Sequence, residues 1–227
     1  EVPSRGLGDV YKRQAVESGM PAVALADKNT FFGLVKFYNY ALIKGIKPIC
    51  GVDFDIKVNN GYSNLILLAK NKKGLEKLFK LSTESFVKSG SEKRSIPEQD
   101  ILNNADDIVC IIPSSSPNLR NLALKKEDLL IDEHYKKYLE AFAENLFIGV
   151  SNFSKDGYDS ASALACNIAK KNNIKAVAIN DVLFLEKEDH LAHQAKVAIN
   201  NATLLKDEID NPLSLIHISE PTRRYFI

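Results

Sequence analysis

The stretch from Gly19 to Ile56, GMPAVALADKNTFFGLVKFYNYALIKGIKPICGVDFDI, constrains the fold more than any other part of the chain. Ala22 to Ala26 is a short apolar run that reads as a strand, and Asp27 stands where it stops. A helix follows, with Phe31, Leu34, Val35, Tyr38 and Leu42 on one stripe, and Gly45 closes it. Ile49 to Gly51 begins a second apolar run that ends near Asp53. Two strands joined through a helix form a crossover unit, which suits a parallel pair. Groups at the C-terminal ends of parallel strands share one edge of the sheet, so this reading brings two carboxylates to the same edge.

The same alternation continues. Asn59-Asn60-Gly61 is a strong hairpin signal, and Leu65 to Ala69 is the next apolar strand. Lys73 to Lys88 is helical, with Leu75, Leu78, Phe79, Leu81 and Phe86 apolar. Pro97 suits the first turn of a short helix, with Ser95 near its N-cap. Ile108 to Ile112 and Leu146 to Val150 are buried strands, separated by helical patterns that run to about Ala143. Tyr158 to Asn172 is a helix, Ala176 to Ile179 a strand ending at Asn180-Asp181, and Lys187 to Asn200 a last helix. Continuous apolar strands alternating with helices mean an α/β fold with a mostly parallel sheet of five or six strands.

Composition narrows the function classes. The 227 residues are 45% hydrophobic and 26% charged, the balance of a soluble globular protein, and no window approaches the roughly 20 apolar residues of a membrane span. A cytoplasmic location follows as an expectation. Cys50, Cys110 and Cys166 lie far apart without a CxxC pair, which fits buried reduced thiols better than a zinc knuckle. A formal charge of +1 argues against a dominant nucleic-acid footprint on this piece.

Both ends differ from the body. Residues 1–14, EVPSRGLGDVYKRQ, and 213–227, LSLIHISEPTRRYFI, resemble translated sequencing-adapter read-through and are set aside as non-native. That removes five basic and three acidic residues and leaves the body, Ala15 to Pro212, at −1. The body is expected to be one domain lacking its true N-terminus.

Asp27, Asp53 and Asp181 fall at expected strand ends, where they could converge, and converging carboxylates call for a cation. Catalytic phosphoester sites usually add histidines, and none of the body's His134, His190 and His193 follows a strand. His190 and His193 share a helix face at i, i+3 but have no acidic motif beside them, so they are a weak metal signal. Ser114-Ser115-Ser116 follows a strand, where a polar loop is the simpler account. The lysines of Lys70 to Lys80 read as a solvated helix face. No phosphate-binding glycine loop, dinucleotide fingerprint or nucleophile elbow is present.

The run from Gly19 to Ile56, the segment SNLILLAKNKKGLEKLFKLSTESF and the late AVAINDVLFLEKEDHLAHQAKVAINNATL closely resemble the PHP domain of the bacterial replicative DNA polymerase III alpha subunit. The resemblance covers essentially all of Ala15 to Pro212. It implies a PHP-type distorted (β/α) barrel whose first strand is missing here. In members with a working metal site an early HxH motif, absent from this chain, supplies ligands, and further ligands follow strand ends. At the matching positions this chain has Asp27, then Lys28 where His is common, and Asp53 where Glu is usual. It has Asn64 in place of His, and Asp181 followed by Leu183 in place of the last His; Ser114 aligns loosely with a Cys or His.

These departures lead to the expectation of a vestigial site at Asp27, Lys28, Asp53, Asn64, Asp181 and Leu183, with no catalytic residue and no metal. The ammonium of Lys28 would pair with Asp27, Asp53 or Asp181. The resemblance then implies a structural platform that binds a proofreading exonuclease subunit and other replisome subunits. Primer-template DNA and magnesium would be held by the parent polymerase at residues outside this chain. The rival expectations are a metal-dependent phosphoesterase or 3′–5′ exonuclease using the three aspartates, and a stand-alone phosphatase of the same fold.

Overall fold

A computed structural model describes residues 19–58, 61–88, 94–125, 128–151, 158–179 and 190–204. Strand β1 (Ala22–Lys28) runs parallel to β2 (Lys47–Val58), with Leu25 beside Cys50 and Lys28 beside Asp53. Helix α1 (Leu34–Ile43) makes the crossover. It ends where Gly45 adopts φ +70, a conformation that glycine reaches without a Cβ penalty, and the Gly45 amide donates to the Leu42 carbonyl.

β2 turns back into β3 (Gly61–Ala69), with Val58 opposite Gly61, so the hairpin expected at Asn59-Asn60-Gly61 forms around two residues that lie outside the described set. β3 is antiparallel to both of its neighbours, β2 and β5 (Ile108–Pro113). β6 (Leu146–Val150) and β7 (Lys175–Ala178) then add in parallel, and the short β4 (Ile96–Pro97) pairs with β2 in parallel. The seven strands form a mostly parallel sheet, ordered β1-β2-β3-β5-β6-β7 with β4 off the path, that curls into a half-barrel.

The helices cover one face of this sheet. They are α1 together with α2 (Lys72–Lys88), α3 (Glu98–Leu102), α4 (Pro117–Lys125), α5 (Asp128–Phe142) and α6 (Tyr158–Lys171); α7 (His190–Asn201) is the last helix among the described residues. Strand side chains alternate between faces, and the even-numbered members of β2 (Val52, Phe54 and Ile56) are 0–1% exposed. They meet Leu65 and Leu67 of β3, Cys110 and Ile112 of β5, and Ile148 of β6 in one core, closed from above by Leu78, Leu81, Tyr138, Phe142 and Ile168. Full burial of each large side chain stabilises by about 1.5–3 kcal/mol.

α5 is anchored to α3 by one carboxylate. Glu98 accepts from the Tyr138 hydroxyl on one oxygen and pairs with Lys137 on the other. Burial, together with the neighbouring Glu98 charge, pushes the Tyr138 hydroxyl far above its usual range, so it stays a donor.

Two sequence expectations shift. The second strand does not end near Asp53 but continues to Val58, because the acidic residues alternate with core residues instead of terminating the strand. The inward stripe of α1 is Leu34, Phe37 and Ala41, with Val35 70% and Leu42 54% exposed. Both stripes have helical spacing; packing against Val23, Leu25 and Cys50 selects the one that buries Phe37.

Candidate functional site

The opposite sheet face carries the odd-numbered residues of β2 and the even-numbered residues of β1. Lys28, the last residue of β1, sits in register with Asp53, and Asp55 lies two residues further along the same face. The Lys28 Nζ reaches Asp53 Oδ2 at 3.2 Å and Asp55 Oδ1 at 3.0 Å. Asn64, opposite Asp55 on β3, donates its side-chain amide to Asp53 Oδ1 at 3.0 Å. Asn29 donates its side-chain amide to Asp55 Oδ2 at 3.2 Å and accepts from the Asp55 backbone amide at 2.8 Å.

Asn29 is therefore the pivot of the cluster. It takes φ +55, in the left-handed region that asparagine tolerates better than most residues, and is buried. Its own amide donates to the Asp53 carbonyl at 2.9 Å, and its carbonyl accepts from the Ser82 hydroxyl of α2 at 3.3 Å. The turn after β1 is thereby pinned to β2 and to the overlying helix, and the pinning aims Asp55 at Lys28.

Burial acts to lower the pKa of Lys28, but the pull of Asp53 and Asp55 outweighs it, and the net shift is upward. The ammonium stays charged through neutral pH. The Lys28 side chain is 52% exposed, so water screens the pair and its net stabilisation is small, about 0–1 kcal/mol.

The residues singled out in the sequence are only partly gathered. Lys28, Asp53 and Asn64 meet. Asp27 does not join them: it lies beside Val52 in the register, on the helix-covered face, with Oδ2 only 2.9 Å from where a Cβ on Gly33 would stand. The period of two along β1 separates Asp27 from Lys28. Asp181 and Leu183 lie outside the described residues, as do the side chains of His134, His190 and His193. Asp55 takes the place expected of a second aspartate. Its signal was the Asp53-Phe54-Asp55 alternation, legible once β2 is taken to run past Asp53.

The cluster does not suit a divalent cation. Each of the four carboxylate oxygens already has a donor, and an ammonium stands at the point on which the two carboxylates converge. The third group facing Asp53 is an amide that offers hydrogen, not a lone pair. Among the described residues no group of three or more His, Cys, Asp or Glu side chains could hold a metal ion. Ser114, at the end of β5, is buried and bonded to the Ser151 and Ser162 hydroxyls at 2.7 and 3.3 Å, so the serine loop is tied to β6 and α6.

The PHP domain family profile matches residues 8–152. The DNA polymerase III subunit alpha of Pseudomonas aeruginosa is 31% identical over 193 residues, spanning 83% of this chain and 16% of that protein. The Escherichia coli K12 subunit of the same name is 28% identical over 199 residues, spanning 86% and 17%. The chain thus spans about a sixth (16–17%) of the length of the curated relatives it matches. A solved structure from Bifidobacterium adolescentis, assigned as a metal-dependent phosphoesterase, superposes with a TM-score of 0.50 over 77% of this chain and 81% of its own, at 10% identity. That likeness concerns the fold alone.

Proposed function

The chain belongs to the PHP domain family, and from that premise we propose that it is the PHP part of a replicative DNA polymerase alpha subunit, working as a non-catalytic platform. Similarity to alpha subunits across 83% of the chain supports the parentage. The observation that carries the platform role is the Lys28 ammonium bridging Asp53 and Asp55. A built-in cation pairs with both carboxylates and stands where their oxygens converge, the position a divalent ion held by these two aspartates would need.

In this role the domain braces the polymerase core and presents a surface to a separate proofreading exonuclease subunit and other replisome subunits. Primer-template DNA and magnesium belong to the parent polymerase, at residues outside this chain. The domain itself uses no metal and has no catalytic residue; Asp27, Lys28, Asp53, Asn64, Asp181 and Leu183 are vestiges of a ligand set.

Elemental analysis of the purified chain, paired with a 3′-labelled single-strand digestion assay in zinc or manganese, tests this. Metal well below one equivalent and undigested substrate are expected. Near-stoichiometric metal with nuclease activity would establish the rival reading as an exonuclease or phosphoesterase. Lys28→His alone is expected not to restore tight metal uptake, because Asn64 and Leu183 still supply no imidazole.

A further inference from the structure

Helix α1 has two apolar faces, and the domain uses one. Leu34, Phe37 and Ala41 point into the sheet, whereas on the outward side Phe32 is 84%, Val35 70%, Leu42 54% and Ile43 80% exposed. These residues follow one another at 3, 7 and 1 positions, so Val35 and Leu42 stack one above the other, flanked by Phe32 and Ile43. Single exposed apolar residues are ordinary; three large ones on one side of a ten-residue helix, with Phe32 just before its N-cap Gly33, form a patch of the kind that marks a contact surface.

The rim is cationic. Lys36 is the one charged residue of α1, Lys44 and Lys47 follow its C-terminus, and all three are exposed. A second copy of the same patch would bring lysines against lysines, so charge disfavours self-association through it. The surface instead suits an apolar patch rimmed by carboxylates.

We propose that the outward face of α1 is the docking surface on which the rest of the parent polypeptide packs. The proposal rests on the polymerase reading above. The relatives it draws on are about six times as long as the segment matched here, which accounts for 16% of the Pseudomonas aeruginosa subunit. A covalently attached body meets the face at high effective concentration, so a patch too small to hold a free partner suffices. α1 packs on β1 and β2 through Leu34 and Phe37, so its outer side is turned away from the core formed by the described residues.

Cysteine labelling tests this directly. Val35→Cys and Ile43→Cys are placed separately in the 227-residue chain and in the full-length subunit read from the parent gene. Maleimide rates are corrected for the native cysteines and normalised to each urea-unfolded protein. Fast labelling in the short chain and at least tenfold slower labelling in the full-length subunit are expected. Equal rates in the two proteins would overturn the proposal. Protection of the short chain that grows with its concentration would overturn it in favour of a second copy. Protection of the full-length subunit that requires an added exonuclease subunit would overturn it in favour of that partner. A parent gene that does not continue into polymerase sequence would remove the polymerase reading itself, and sequencing shows this before any labelling.

Discussion

The two faces of β2 are built from adjacent residues and behave as different materials. Val52, Phe54 and Ile56 point into a core where they are 0–1% exposed, while Asp53 and Asp55 point to the face that holds Lys28 and Asn64. On the core face stability comes from area removed from water and from close packing. On the other face it comes from matched hydrogen bonds, which return little more than the cost of desolvating the groups that make them. The difference teaches where the domain is brittle and where it tolerates change: the polar face can vary in sequence while the fold persists.

The comparison breaks most easily at its core end. Phe54→Ala is expected to cost about 3–5 kcal/mol, read as a fall in the urea midpoint. A loss under 1 kcal/mol would mean that the core does not carry the fold. Asn29→Ala is next, at about 1–3 kcal/mol, because it removes both bonds to Asp55 and leaves an alanine at positive φ. Lys28→Met comes last among the substitutions, at about 0–1 kcal/mol, since the ion pair is half exposed. A cost for Lys28→Met equal to that for Phe54→Ala would erase the distinction between the faces.

The smallest effect is in pH. The folded-state pKa of Lys28 lies above its unfolded value, so its stabilisation is fully present below the unfolded value of about 10.4 and is lost as pH rises through the folded one. Tyr138 is also raised, first by burial and then by Glu98, and contributes in the same direction. Stability is therefore expected to fall on the alkaline side. The difference between the wild type and Lys28→Met should shrink above about pH 10.4, as thermal melts across pH 8–11 would show. A difference that grows in that range would mean that Lys28 is not the cation holding the aspartates.

Much of the architecture was legible in the chain. The alternation of apolar runs with helical stripes set the order of strands and helices, and the Asn-Gly turn signalled the reversal of direction between β2 and β3. The candidate site was legible only in part. Lys28 and Asn64 follow from the family resemblance and Asp53 from its place near an expected strand end, and the three meet in space; Asp27 shares the strand-end signal but lies on the other face. Proximity along the chain says nothing about face. Asp55 was missed for the complementary reason: an acidic residue was read as the end of β2, when it is an outward position inside it.

The amino-acid sequence alone determined the kinds of elements, their order and the presence of a lysine beside an acidic strand end, because propensity, turn chemistry and residue identity are local properties. Tertiary structure decided which of two apolar stripes α1 buries, how far β2 extends, and which aspartates share Lys28. Those outcomes depend on register and helix rotation, which are fixed only when a face finds something to pack against.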